Sequence, residues 1–318
     1  MMLTVGAGFA IFFAILVTMY SQSAKTDRHA RYVGIMNIAS EKIARTVRGM
    51  EMSAMNVFDE VGKHLDSPEA VIAALESKTS LNPDVRGYFA AFEPNYFPEK
   101  GTWFEPYVVH VDSSEFEVRM VGSARHNYHK SGWYVRAKKS SATFWSDPYY
   151  YYDGSDISGH YTTFVQPVYD AQERLACVCG ADMTFEWLGK ELQRIDNSFR
   201  SNELLNKYLL NSGDDFYTAV INNDGSCIAC PEGKKVSLTQ EQLLKSFAKK
   251  KSGTMDMDVN GVPSTVYYCP IDHVDWFVTI VVAKQSMWGP LVKLSIALLL
   301  VAVIVLFLVR RLINVETK

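Results

Sequence analysis

Two apolar runs bracket this chain, and they decide where everything between them must fold. Leu3 to Tyr20 carries Val5, Phe9, Ile11, Phe12, Phe13, Ile15, Leu16 and Val17, with no charged residue inside it. Leu294 to Val309 repeats the pattern with Ile296, Leu298 to Leu300 and Val301 to Leu308. At about 1.5 Å per helical residue, each run nearly crosses a hydrocarbon layer of about 30 Å. A cleaved signal peptide is the competing reading of the first run. No basic residue precedes that run, and only Ser21-Gln22-Ser23-Ala24 faintly resembles a cleavage site, so we read it as an uncleaved span. Trp288 stands where an interfacial aromatic belongs, and Lys293 can snorkel to the headgroups. Arg310 and Arg311 follow the second run at once, which puts that end in the cytoplasm by the positive-inside rule. Lys25, Arg28 and Arg31 argue the other way, but long domains translocate largely regardless of such charges. The expectation is a chain of the inner, cytoplasmic membrane with two spans and both termini inside. Residues from about 22 to 287 then form a periplasmic, or extracytoplasmic, region.

That middle is large enough for more than one folded unit. The chain has 318 residues, 48% hydrophobic and 13% aromatic, which supports a sizeable core and excludes wholesale disorder. The net charge of -3 gives no basic surface for nucleic acid, so none is expected as a partner. The mean hydropathy of -0.05 averages two oily ends with a polar middle.

Between the spans, apolar residues first recur in steps of three and four: Tyr32, Met36, Ala39, Ile43, Val47, Met50, Ala54, Phe58, Val61 and Leu65. No proline falls between Gln22 and Leu65, so this is a long stalk helix with one apolar stripe. The stripe can pack on the folded region, on a sister stalk, or on both in succession. Asp66 or Ser67 then caps a short helix, Glu69 to Lys78, with Pro68 at the first helical position. Strands follow at Val85–Phe92, Trp103–Val111 and Glu115–Val121. Pro106 inside the second suggests an edge position or a bulge. Trp133–Lys139 has helical spacing. Strands His160–Tyr169 and Arg174–Thr184 form a hairpin, and a connecting helix runs from Trp187 to Tyr208. A second small sheet is expected from Phe216–Ile221, Ser226–Cys230, Thr254–Val259, Val262–Pro270 and Trp276–Ala283. Asp224-Gly225 and Asn260-Gly261 supply its hairpin turns, and an amphipathic helix covers Thr239–Lys250.

The five cysteines, Cys177, Cys179, Cys227, Cys230 and Cys269, are odd in number. Cys177 and Cys179 share a strand face and are poorly placed to bond each other. Cys227 and Cys230 have the spacing of a redox or zinc half-site, but the second half-site is missing. We read them as small apolar core residues. His126 and His129 lack a third ligand and are expected to face solvent, so no metal is expected, and no Gly-rich phosphate loop or nucleophilic triad suggests an enzyme.

The densest run of aromatics and carboxylates is Trp133 to Trp187. Along Tyr149 to Tyr152, strand alternation allows two tyrosines at most on one face. Trp145 is read as core. Asp182, between a strand and a helix, suits a ligand contact or the N-cap of the helix at Phe185 equally. Trp145-Ser146-Asp147-Pro148-Tyr149, then Pro167-Val168-Tyr169-Asp170, then Gly180-Ala181-Asp182-Met183, together resemble a double Cache (dCache) extracytoplasmic sensor domain of a bacterial transmembrane receptor. The resemblance covers residues 25 to 285. Ala91 to Pro98 and Thr184 to Leu188 also resemble sensors of Bacteroidales-type membrane phosphatases and kinases.

The resemblance implies an α+β fold: a long stalk helix and two PAS-like antiparallel-sheet modules, flanked by two transmembrane helices. The implied layout is span 3–21, stalk 22–65, distal ligand-binding module 66–190, connecting helix 191–213, membrane-proximal module 214–285 and span 288–309. Residues 310–318 would open a cytoplasmic linker, with the output module not in this sequence. The implied ligand contacts are Trp133, Tyr134, Tyr149, Tyr151, Asp153 and Asp182, with no catalytic residue and no cofactor. In the amino-acid-binding branch an arginine two residues before the Trp-Tyr pair grips a carboxylate, and here that position is Ser131. The branch's Tyr-x-Asp matches Tyr151 and Asp153 only if an insertion moves the pair, and Arg136 lies one turn from the missing arginine. The retained aspartates and tyrosines favour a cationic amine or amino acid. The expected partners are thus a small molecule, the membrane and, as a homodimer, a second copy. The alternative is a protein-interaction or structural domain with a filled, ligand-free core.

Overall fold

The structure is a computed structural model describing residues 2–80, 82–111, 115–152, 155–200, 216–231, 236–285, 295–297, 299–305 and 307. The expected helix over 201–213 and the linker 310–318 lie outside the described residues, as do 286–294 and the end of the second apolar run. Helix α1 runs unbroken from Met2 to Lys63 and contributes to two compact units. Among the described residues, no helix is long and apolar enough to cross a membrane.

One unit comprises residues 41–191 with 271–275. After α1 comes α2 (Pro68–Thr79), whose N-cap Ser67 accepts the Ala70 amide at 3.2 Å while Pro68 takes the first helical position. The strands are β1 (Gly87–Phe92), β2 (Pro106–His110), β3 (Phe116–Met120), β4 (Phe144–Trp145), β5 (Tyr149–Tyr151), β6 (Gly159–Tyr169) and β7 (Leu175–Thr184), with α3 (Gly132–Ser140) between β3 and β4. They form a sheet of order β3-β2-β1-β7-β6-β4, and β5 also pairs with β6. Every pairing is antiparallel.

One face of this sheet rests on α1. Phe58 stacks on Phe164 at 6.3 Å, and Tyr88 donates to Ser53 Oγ at 3.1 Å. Trp145, expected in the core, is half-buried and donates its indole N–H to Glu51 at 2.9 Å. The other face meets α3 through Trp133 and Phe89, 5.0 Å apart. The apolar stripe of α1 from Tyr32 to Val61 is buried throughout, so the expected periodicity is that of a helix packed on folded units. Pro106 corrects an expectation. It begins β2, which lies between β1 and β3 rather than at an edge, because the first residue of a strand tolerates a missing N–H.

The second unit comprises residues 1–40, 192–270 and 276–318. Its strands β8 (Phe216–Asn222), β9 (Cys227–Ala229), β10 (Gly253–Val259), β11 (Val262–Pro270) and β12 (Trp276–Ala283) order as β10-β11-β12-β8-β9. Asn260 and Gly261 take φ of 55° and 81°, as their hairpin turn requires. Helix α4 (Phe185–Arg200) leads into this unit, where Asp196 accepts the Thr218 hydroxyl and amide at 2.5 and 3.1 Å. Helix α5 (Glu241–Ala248) lays Phe247 flat on Phe277 at 4.0 Å. Tyr32 of α1 packs against Phe216 and Tyr267. The cysteine reading needs correction here. Cys227 and Cys230 are disulfide-bonded, because the turn out of β9 brings their Cα atoms to 6.2 Å. Cys177, Cys179 and Cys269 are free.

Candidate functional site

Three neighbouring strands put one residue each at the centre of the first unit's open face. Gly87 of β1, Asp182 of β7 and Thr163 of β6 stand opposite one another in register. Strand periodicity of two sends Asp182 to this side and Ala181 and Met183 to the other, against α1. Thr163 Oγ1 donates to Asp182 Oδ1 at 2.6 Å. The Tyr149 hydroxyl lies 2.8 Å from Thr163 Oγ1 and donates to the same carboxylate oxygen at 3.4 Å.

Two glycines keep this face open. A Cβ on Gly87 would stand 2.6 Å from the Tyr107 ring, and one on Gly180 would stand 2.1 Å from Phe89 Cζ. Each missing side chain is therefore the space in which a neighbouring aromatic lies flat. The result is a small cavity of about 40 Å³, bounded by Phe89, Tyr107, Tyr149, Tyr161 and Asp182 on the sheet side. Glu105, Val121, His126, Trp133, Tyr151 and Ile157 close it. A larger hollow of about 590 Å³ shares His126, Trp133, Tyr149 and Tyr151 with it and adds Arg136, Phe144, Asp147 and the remaining tyrosines.

Two carboxylates face this cavity. Asp182 is 7% exposed and Glu105 3%. Burial pushes Asp182 up to about 6, partly offset by the hydroxyls of Thr163, Tyr107 and Tyr149. Tyr107 takes part in that effect although its hydroxyl makes no hydrogen bond of ordinary geometry. Burial, and then the charge of Asp182, push Glu105 well above the usual carboxylate range. Burial likewise raises the Tyr107 and Tyr149 phenols, with Asp182 adding to both. Oε2 of Glu105 has no hydrogen-bond partner, and His126 Nε2 stands 3.5 Å from it. Acidic, aromatic and enclosed, the site suits a cation: its carboxylates gain a counter-charge and the aromatic rings supply negative faces.

The sequence-predicted residues divide. Trp133, Tyr149, Tyr151 and Asp182 meet at this cavity. Tyr150 and Tyr152, at 56% and 74% exposure, take the outer face of the tyrosine run. Tyr134 is buried elsewhere: its hydroxyl donates to Glu93 at 2.8 Å, and it borders a separate hollow with His129 and Lys138. Asp153 lies outside the described residues. Of the two readings of Asp182, the helix cap goes to Thr184, whose Oγ1 accepts the Trp187 amide at 3.3 Å. Arg136 does not enter the small cavity; it stacks over Phe144 at 4.0 Å beside the larger hollow. The expectation for His126 is corrected: it lines the cavity edge-on to Tyr151 at 4.9 Å. Glu105 and Tyr107 carried no sequence signal beyond an acid and an aromatic flanking Pro106.

Residues 71–190 match the model of a family described as methyl-accepting chemotaxis protein-like, first PDC sensor domain. These residues are thus similar to a PDC sensor domain. Solved structures share the two-sheet fold over most of the chain. The periplasmic sensory domain of the Campylobacter jejuni chemoreceptor Tlp1 is 13% identical, with a TM-score of 0.62, covering 84% of this chain and 99% of that one. The ligand-binding domain of Mlp24 with asparagine is 17% identical, with a TM-score of 0.58, covering 86% and 98%. That of the Pseudomonas fluorescens chemoreceptor CtaA in complex with L-isoleucine is 15% identical, with a TM-score of 0.54, covering 84% and 97%. The extracellular domain of mmHK1S-Z3, described as a histidine kinase, is 18% identical, with a TM-score of 0.60, covering 86% and 98%. No curated protein matches the chain.

Proposed function

We propose that this chain is the sensor region of a two-span membrane receptor that binds a small amine-bearing molecule through Asp182. The observation that carries the reading is a buried carboxylate in an aromatic cavity, with no lysine or arginine among the described residues that line it. An ammonium group would donate charge-assisted hydrogen bonds to Asp182 and lie against Trp133, Tyr149 and Tyr151. Amino acids bound in the Mlp24 and CtaA structures support an amine as the ligand class. Ser131 stands where the amino-acid-binding branch has its arginine, which favours an amine without a gripped carboxylate. The void of about 40 Å³ holds little more than water, so entry requires Tyr151 or Trp133 to yield toward the neighbouring hollow.

The modules 66–190 and 214–285 would be distal and membrane-proximal, held by the stalk 22–65 and the connecting segment 191–213. Exposure of Ile11, Phe12, Ile15 and Leu16, and of Ile296, Leu299, Leu300 and Phe307, supports spans at 3–21 and 288–309, because apolar side chains left open on a helix need a lipid or protein cover. The chain would pair as a homodimer through the stalk, where Ile38, Met52 and Met55 are exposed. Ligand would act on the second span only by its different affinity for two arrangements of the module. The test is calorimetric titration of the full chain in detergent micelles against monoamines, amino acids and carboxylates. Saturable heat from an amine, lost on substituting Asp182→Asn, is expected. Silence across the amine set would overturn the reading.

A further inference from the structure

We propose that the cavity has a second cation subsite at Glu105, so that the preferred ligand carries two positively charged nitrogens. This inference rests on the amine reading of Asp182. Three observations carry it. Glu105 is 3% exposed, and its Oε2 accepts no hydrogen bond. Its side chain lines the same cavity as Asp182 and is close enough for that carboxylate to raise its proton affinity. Tyr107 of β2 stands opposite Phe89 of β1, and its hydroxyl, which favours the Asp182 charge, makes no hydrogen bond of ordinary geometry.

A buried carboxylate oxygen left unpartnered carries its full desolvation penalty, so native structures seldom keep one without a use. A monoamine seated on Asp182 would neutralise that group and leave Glu105 Oε2 without a hydrogen bond. A second ammonium would give that oxygen a donor. Among the described lining residues His126 is the cationic candidate beside Glu105: its Nε2 stands 3.5 Å from Oε2, within ion-pair distance when the ring is protonated but without a hydrogen bond. Its ring is placed edge-on to Tyr151. A ligand ammonium would give Oε2 the hydrogen bond that His126 does not.

The experiment compares 1,4-diaminobutane with n-butylamine on the full chain in detergent micelles by calorimetry, with a diamine series of three to six carbons. The diamine is expected to bind at least about tenfold tighter than the monoamine, with one chain length preferred. In Glu105→Gln the diamine-to-monoamine ratio is expected to fall close to one. Should Glu105→Gln fail to fold, the length series on the unaltered chain decides: affinity rising smoothly with carbon number for diamines and monoamines alike overturns the second subsite. A monoamine that binds as tightly as the diamine overturns this inference and leaves the Asp182 reading standing. Failure of both ligands overturns the Asp182 reading as well.

Discussion

Replacing Asp182 with asparagine should stabilise the ligand-free protein, and only above a definite pH. The carboxyl has an ordinary value of 3.8, and burial raises it to about 6 in the folded state. The sign follows from linkage: the folded state holds this proton more tightly than the unfolded chain. Below pH 3.8 the group is protonated in both states and contributes no penalty. As pH rises through about 6, folding must ionise a buried carboxyl, and the stability linked to this group is lost. At about 1.4 kcal/mol per unit, the full loss approaches about 3 kcal/mol. Asp182→Asn keeps an oxygen to accept the Thr163 hydroxyl and removes the charge, so it should recover much of that at pH 7.5. It also relieves Glu105, whose proton affinity Asp182 raises. For a unit of this size, about 3 kcal/mol corresponds to roughly 6–12 °C in midpoint. The assay is thermal unfolding of both proteins without ligand at pH 3.5, 5 and 7.5. The two curves should coincide near pH 3.5 and separate as pH rises, with the asparagine variant the more stable. A difference that does not change with pH, or a variant less stable at pH 7.5, would refute the reasoning.

Three further perturbations follow from the same geometry. Gly180→Ala puts a Cβ 2.1 Å from the Phe89 ring, so it should cost about 1–3 kcal/mol in denaturant unfolding and abolish amine binding by driving that ring into the cavity. Tyr134→Phe removes the donor to Glu93, 2.8 Å away, and should lower stability by about 1 kcal/mol while amine affinity stays within about twofold; a large loss of affinity would place the ligand in the other hollow. Paired Cys227→Ser and Cys230→Ser changes open a very short loop and should cost about 2 kcal/mol in chemical unfolding, and thiol alkylation of the unaltered, unreduced protein should label at most Cys177, Cys179 and Cys269.

What the sequence disclosed was what repeats. The stripe from Tyr32 to Val61 gave the long helix because steps of three and four are the helical period. Alternation along Tyr149 to Tyr152 separated the inward pair from the outward one, and the aspartate of Gly180-Ala181-Asp182 lies on the inward face of its strand. The illegible parts sit where no period applies. His126 occupies an irregular stretch before α3, and Glu105 precedes the first residue of β2, so only the closed fold reveals that both line one cavity with Asp182. Trp133 and Tyr134 were natural candidates together, yet consecutive helical residues diverge by about 100°, which sends one to the cavity and the other to Glu93. The Cys227–Cys230 bond was hidden for a related reason: its spacing suits several chemistries, and the turn after β9 selects one.

The most direct measurement is a structure of the protein with the amine that titrates most tightly. We predict a nitrogen of the ligand at about 2.7–2.9 Å from the Asp182 carboxylate, with Tyr151 or Trp133 displaced to enlarge the void. A ligand bound beside Tyr134 and Lys138, with the Asp182 cavity still closed, would contradict the account.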